Sequence, residues 1–375
     1  MLFERTIQKM IEKSLFEGKI IVVYGARQVG KTTLLRNIEK KYSQKRSLFV
    51  SCDDPDVRAK LFNTTSTDLK NLFQGYELIF IDEAQRVKNI GLTLKIAIDN
   101  MPDKQFIVTG SSSFDLANKI NEPLTGRKYE FFLYPLSVEE ISVNLSPLEE
   151  ERLLKNWLIY GMYPDVINNP GKPRFVLDNL VKGTLYKDAL EHQNVKYAEL
   201  LDKLLQALAF QVGQEVSYNE LASLLGTNKV TVERYVKLLE QSFIIYQLKP
   251  FSRNLRNELK KMRKIYFYDV GVRNALIKAY GPIELRNDIG SLWENFLLSE
   301  RIKKNNNHER YVNQYFWRTR QKQEIDFLEE KDGMLAAFEF KWQKDKFTIP
   351  KAFFDAYPNA KTELVNRKNY KKFVM

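Results

Sequence analysis

Between an apolar run, Ile20–Tyr24, and a helix-forming stretch, Lys31–Lys41, lies the segment Gly25-Ala-Arg-Gln-Val-Gly30-Lys31-Thr32. Two glycines, a lysine and a hydroxyl residue at this spacing, after a strand and before a helix, make the phosphate-binding loop pattern. Glycine permits the backbone geometry that turns successive N–H groups toward phosphate oxygens, and the helix N-terminus adds partial positive charge. A plain glycine turn would not require Lys31 and Thr32 in register. The expected nucleotide-binding residues are Gly25, Ala26, Arg27, Gln28, Val29, Gly30, Lys31, Thr32 and Thr33. Lys31 would neutralise the β- and γ-phosphates of ATP, and Thr32 would ligate Mg2+ through its hydroxyl.

Further apolar runs at Ser47–Cys52, Leu78–Ile81, Phe106–Thr109 and Tyr129–Tyr134 read as strands, with helical patterns between them. Runs of this kind, buried on both faces, imply a parallel sheet covered by helices. Leu78-Ile-Phe-Ile-Asp82-Glu83 puts Asp82 at a strand end, where it can hold Mg2+, and Glu83 beside it as the candidate to polarise the attacking water. Ser111, at the end of Phe106-Ile-Val-Thr-Gly-Ser, is suited to sensing the γ-phosphate or orienting that water; a simple Gly-Ser turn is the alternative. Arg127 precedes the last of these strands, where it could meet a γ-phosphate in a neighbouring subunit or in its own, or serve only as a surface arginine.

Beyond Ser137 the strand pattern gives way to helices as far as about Asn194. Ser217 with Glu220 resembles a capping box, Gly226-Thr-Asn228 a short turn, and Val230–Glu240 a second helix with Val232, Val236 and Leu239 on one face. This is a helix-turn-helix layout that offers Asn228, Lys229, Thr231, Arg234 and Lys237 outward to DNA, with Phe243–Leu248 as a wing. Helical hairpins of this kind also pack domains together without touching DNA.

Charge favours the DNA reading. The chain of 375 residues carries a net charge of +12. From Phe251 to the end, 26 lysines and arginines face 16 acidic residues, so most of the excess is in the last third. A concentrated basic segment is the electrostatic footprint of a nucleic-acid binder, although lysines also keep surfaces solvated. One cysteine and two histidines exclude an internal disulfide and a Cys/His zinc site. No apolar run approaches the ~20 residues of a membrane span, and the N-terminal residues lack a secretory apolar core. A cytoplasmic protein that does not enter membranes is expected.

Near the C-terminus, Asp332-Gly333 is a preferred hairpin turn. Pairing outward from it sets Asp326 across from Glu339, on a face that also carries Glu324 and Lys341, and puts Ile325, Phe327, Phe338 and Phe340 on the core face. Two carboxylates side by side repel unless a cation lies between them. Mg2+ bridging Asp326 and Glu339, with Lys341 beside the attacking water, would suit phosphodiester cleavage. An amphipathic hairpin with a merely solvated charged face is the other reading.

Taken together these motifs resemble a family of prokaryotic AAA+-type ATPases whose C-terminal half is related to the PD-(D/E)-x-K nuclease superfamily. The resemblance rests on residues 25–33, Ile-Asp-Glu-Ala-Gln (81–85), Thr-Gly-Ser-Ser (109–112) and Leu-Thr-Gly-Arg (124–127). It continues through Tyr-Phe-Tyr-Asp-Val-Gly (266–271), Gly-Ser-Leu-Trp-Glu-Asn-Phe (290–296), Glu-Ile-Asp-Phe (324–327) and Phe-Glu-Phe-Lys (338–341). It implies an α/β multidomain chain: a P-loop parallel-sheet ATPase core (1–136), a helical lid (137–195), a winged helix (196–250) and an α/β restriction-endonuclease-like domain (251–375). The nuclease pattern maps onto Asp326, Glu339 and Lys341, with Glu294 as a possible extra ligand. Ala26 and Ile325 stand where the family and the superfamily name have proline; neither change removes a ligand. The implied outputs are an ATPase working on or with DNA, a nucleotide-operated switch or scaffold with an inactive end domain, or an ATP-gated Mg2+-dependent nuclease. An arginine acting in trans would make the protein a homo-oligomer.

Overall fold

The computed structural model describes residues 2–110, 120–143, 145–185, 198–252 and 263–375. The chain divides into two compact units, the first built mainly from the segment up to Tyr134 and the second from most of the remainder.

The first unit is a five-stranded parallel sheet in the order β2-β3-β4-β1-β5. Its strands are β1 (Ile20–Tyr24), β2 (Ser47–Ser51), β3 (Leu78–Asp82), β4 (Gln105–Gly110) and β5 (Lys128–Phe132). Every residue of β1, β3 and β4 is buried, as unbroken apolar runs require in a sheet covered on both faces. The short amphipathic helix α1 (Gln8–Lys13) buries Ile11 in this unit. Helix α2 (Lys31–Lys41) follows β1 directly, and Leu34, Leu35 and Ile38 form its buried stripe. This strand order puts β4 between β1 and β3, so groups from three strand ends meet beside the loop that joins β1 to α2.

The second unit contains a seven-stranded mixed sheet in the order β12-β11-β10-β9-β7-β8-β6. These strands are β6 (Glu215–Val216), β7 (Ile245–Pro250), β8 (Arg263–Phe267), β9 (Asn313–Arg318), β10 (Glu324–Lys331), β11 (Met334–Phe340) and β12 (Lys361–Val365). The sheet runs without a break across residue 250, because β7 pairs antiparallel with β8 on one side and parallel with β9 on the other. Its helices include α3 (Pro147–Tyr160), α4 (Ala198–Phe210), α5 (Tyr218–Leu224), α6 (Lys229–Gln241), α7 (Val270–Leu276) and α8 (Ile289–Asn307). Ser146 and Glu149 close a capping box on α3. On α5, Ser217 accepts the Glu220 N–H at 3.4 Å, which is the first half of the expected box.

The β10–β11 hairpin has the expected register, with Lys331 opposite Met334 and Phe327 opposite Phe338. Asp332 and Gly333 both have positive φ, 53° and 77°, as a two-residue turn demands. The expected core face, however, divides in two. A bulge between Ile325 and Leu328 shifts the register against β9, which puts Ile325 in a cluster with Trp317, Leu328, Ala337 and Phe353. Phe327, Phe338 and Phe340 gather around the Phe373 ring instead.

Candidate functional site

Only glycine fits at position 25, since a Cβ there would lie 2.2 Å from the Leu133 carbonyl oxygen. Gly30 has φ 100° and Gln28 φ 62°, the left-handed turns that fold the loop back over the start of α2. Among the described residues no side chain caps α2, and no acidic residue lies in its first turn, so its leading N–H groups are available to an anion. The Lys31 ammonium donates to the carbonyls of Gly25 (2.9 Å) and Ala26 (3.0 Å) and lies 3.9 Å from Glu83. Arg5, which the sequence reading missed, braces the loop from behind by donating to the Val29 carbonyl at 2.8 Å and to Tyr134 O at 2.6 Å.

The neighbouring strand ends complete the arrangement. The Thr32 hydroxyl donates to Asp82 Oδ2 at 2.7 Å, and the Thr109 hydroxyl donates to Asp82 Oδ1. Thr109 in turn accepts the Glu83 N–H at 3.0 Å. Glu83 has φ 53°, a strained conformation for a residue with a side chain, and Gln85 Nε2 donates to its Oε2 at 2.5 Å. Thr109 and Gln85 stood inside the quoted motifs, but their roles depend on the strand order, which a linear reading does not give. Next to this group, burial above all, then the Asp82 charge, pushes the Cys52 thiol up to about 12, which keeps it protonated at neutral pH.

Arg127 donates through Nε to Asp99 at 2.6 Å, and both side chains are about 40% exposed, at 40% and 39%. A pair this exposed is worth ~1 kcal/mol or less and restrains the guanidinium little. Ser111 lies outside the described residues. Asn228 caps the second helix of the helical hairpin by accepting the Thr231 N–H at 2.9 Å. Lys229 pairs with Glu233 at 3.3 Å, the Arg234 guanidinium lies 5.2 Å from the Tyr235 ring, and Lys237 is exposed. The inner face of α6 is the expected one, with Val232, Val236 and Leu239 buried.

In the second unit the structure gathers a second charged group. Asp326 Oδ2 accepts the Phe340 N–H at 2.8 Å, and Lys341 donates to Glu339 Oε1 at 2.6 Å. Among the described residues, none gives the buried Glu339 Oε2 a hydrogen bond. Burial first, then the charge of Asp326, raises the Glu339 carboxyl above its ordinary range, and burial likewise raises Asp326. An orphaned carboxylate oxygen beside a second carboxylate fits a divalent ion; Asp326 and Glu339 are the residues that would hold it. Glu294, on α8, is differently engaged: Lys264 donates to its Oε1 at 3.1 Å and the Tyr266 hydroxyl donates to the same oxygen. Lys264 also donates to Glu324, whose other oxygen lies 3.2 Å from Arg318. Burial works against the Lys264 charge, but Glu294, Glu324 and Asp326 outweigh it and hold the ammonium above the usual lysine range. Among the described residues, no three acidic, histidine or cysteine side chains converge to hold one metal. Lys264 was missed by the sequence reading, and Tyr266 stood inside the 266–271 motif with no role assigned; a lysine at the head of the apolar Ile265–Phe267 run was the available signal.

A glycine loop between a buried parallel strand and a helix, with Thr32 tied to an acidic strand end, defines a P-loop nucleotide site. Residues 17–142 match a model described as AAA domain, which supports a nucleotide-binding ATPase fold for this part of the chain. Residues 151–282 and 289–372 match two domains of unknown function, DUF8612 and DUF4143. The chain is 28% identical over 337 residues to an uncharacterized protein of Mycobacterium tuberculosis, covering 88% of this chain and 72% of that one. It is 24% identical over 391 residues to an uncharacterized protein of Methanocaldococcus jannaschii, covering 97% and 84%. Among solved structures, AMPPCP-bound DnaA from Aquifex aeolicus is similar at 15% identity and a TM-score of 0.31, covering 64% of this chain and 89% of that one. No helix among the described residues is long and apolar enough to cross a membrane.

Proposed function

We propose that this chain hydrolyses ATP and works with DNA, using nucleotide state to operate a DNA-reading module and a nuclease-like end domain. The observation that carries the reading is the chain of contacts Thr32–Asp82–Thr109–Glu83 beside the uncapped start of α2. The α2 N–H groups and the Lys31 ammonium bind the phosphates, while Thr32 and Asp82 are the residues that would hold Mg2+. The ion, when bound, neutralises charge on the β- and γ-phosphate oxygens. Glu83, held by Thr109 and Gln85, orients the attacking water. Glu83→Gln is therefore expected to keep ATP binding and to lose roughly 100-fold or more in turnover. Equilibrium nucleotide binding and single-turnover hydrolysis separate the two, and wild-type hydrolysis would remove Glu83 from this role.

The DNA part rests on the α5–α6 hairpin, whose Lys229, Arg234 and Lys237 are exposed, and on the basic last third of the chain. The adjoining strands β6, β7 and β8 pair as the short sheet of a winged helix would. Arg127, weakly held by Asp99, is free enough to serve a neighbouring copy in a homo-oligomer. A second reading, an ATP-gated nuclease, is favoured by one feature, the orphaned Glu339 Oε2 beside Asp326. One experiment tests both: ATPase rate with and without single-stranded and duplex DNA, with DNA integrity read in the same tubes. DNA should raise the rate, and its affinity should fall by roughly 0.9 log units per log unit of salt for each duplex phosphate contacted. A salt-independent affinity and an unchanged rate would leave only the ATPase. Mg2+-dependent loss of DNA that Asp326→Ala abolishes would establish the nuclease reading; intact DNA throughout would favour a switch with an inactive end domain.

A further inference from the structure

We propose that Lys264 is a built-in cation filling one side of the carboxylate cluster in the second unit, so that the centre admits one divalent ion, between Asp326 and Glu339. The inference rests on the nuclease-like reading of that domain but not on the ATP reading.

Four carboxylates, Glu294, Glu324, Asp326 and Glu339, face the cations Lys264, Lys341 and Arg318. Lys264 comes from β8, three strands away from β10 in the sheet, and is only 1% exposed. Its ammonium reaches Glu294 Oε1 at 3.1 Å and Glu324 Oε1, and lies 5.4 Å from the centre of the Phe316 ring. Glu324 is committed at both oxygens, because Arg318 lies 3.2 Å from its Oε2 and also 3.2 Å from Glu215. Glu294 is committed at Oε1 to Lys264 and Tyr266 together. These two glutamates are therefore already neutralised from within the protein.

On the other side, Asp326 spends Oδ2 on a backbone N–H and Glu339 spends Oε1 on Lys341. Glu339 Oε2 is buried and unsatisfied. Mg2+ and Mn2+ are commonly bound by one or two carboxylates with water or substrate completing the shell, and this pair meets that need. A second ion beside the first would have to displace a buried ammonium from two glutamates. The two-ion clamp that stabilises both the attacking and the leaving oxygen is thereby excluded, and any chemistry here runs on one ion with Lys341 alongside.

The test counts Mn2+ on the full, nucleotide-free chain by the loss of the free aqua-ion paramagnetic resonance signal. The ions at this centre are those lost in Glu339→Gln. Wild type should exceed Glu339→Gln by one ion. Glu294→Gln should keep that ion within about twofold in affinity, because Glu294 is not its ligand. Lys264→Met, which keeps the aliphatic volume, should raise the difference to two, and adding Glu294→Gln to it should restore one. A wild-type difference of zero or two overturns the proposal, as does an affinity weakened by about tenfold or more in Glu294→Gln. A folded Lys264→Met chain with an unchanged count also overturns it; if that variant does not fold, the Glu294→Gln result decides. None of these readings depends on ATP binding, so they stand or fall separately from the nucleotide site.

Discussion

Lys31→Ala is expected to reduce ATP hydrolysis to background and to weaken ATP binding by about one to two orders of magnitude. Lys31 is 4% exposed, and its ammonium holds the Gly25 and Ala26 carbonyls at 2.9 and 3.0 Å. Alanine removes a cation fixed within the loop, and a hydrogen bond to a charged group is worth roughly 1.5–3 kcal/mol, or about 10- to 100-fold in affinity. The effect on turnover should be larger, because charge on the transferred phosphoryl group must be met in a water-poor site; losing a single preorganised donor commonly costs ~100- to 1,000-fold. Isothermal titration with a non-hydrolysable ATP analogue and a phosphate-release assay measure the two effects separately. The pattern differs from that of Glu83→Gln, which should spare binding. Wild-type turnover in the Lys31 variant would dismiss the loop as the nucleotide site, and a collapsed far-ultraviolet spectrum would show that the lysine serves mainly to satisfy the two carbonyls.

Local features were legible in the sequence, and features made by distant pairing were not. The strand Ile20–Tyr24 and the helix Lys31–Lys41 have the expected bounds because each combines an unbroken or periodic apolar pattern with a glycine at one boundary, Gly25 after the strand and Gly30 before the helix. The hairpin register followed from two turn residues alone. The strand order β2-β3-β4-β1-β5 leaves no local trace, and it is what puts Thr109 between Asp82 and Glu83. Nor does the parallel pairing of Lys249 with Tyr315 and Pro250 with Phe316, which carries one sheet across a boundary that the change in sequence pattern suggested. Helix α8 extends well beyond the Gly-Ser-Leu-Trp-Glu-Asn-Phe motif (290–296). Its last turns look solvated, yet Glu300, Arg301, Lys303 and Asn305 are buried and answered internally: Lys303 by Glu300, and Arg301 with Asn305 by Glu329. A charged pattern shows the need for water or for partners, but not which of the two meets it. The same ambiguity hid Lys264, whose carboxylates come from α8 and β10.

Gly161→Ala is expected to destabilise the second unit strongly, by about 3 kcal/mol or more. Gly161 ends α3 with φ 74° and ψ −167°, a conformation that side chains avoid. A Cβ there would lie 1.9 Å from Asp269 Oδ1 and 2.6 Å from its Cγ, so the carboxylate would have to move. That carboxylate is 4% exposed and accepts the N–H groups of Met162 (2.7 Å), Gly271 (2.9 Å) and Val272 (3.2 Å). Moving it uncaps α7 and leaves buried donors unpaired, at ~1–3 kcal/mol for each group that water cannot reach. Nor can α7 shift to make room, because a Cβ at Gly271 would lie 2.1 Å from the Tyr160 carbonyl oxygen. The Tyr-Phe-Tyr-Asp-Val-Gly segment that marked the family resemblance is thus explained as a structural clasp. For a unit of this size, 3 kcal/mol corresponds to a fall of roughly 6–12 °C in melting temperature. Asp269→Asn keeps the shape and two of the acceptor contacts, so it should cost less than Gly161→Ala. If Gly161→Ala melts within about 2 °C of wild type, the clasp can rearrange at little cost, and the close approach of glycine to carboxylate is not what holds α3 and α7 together.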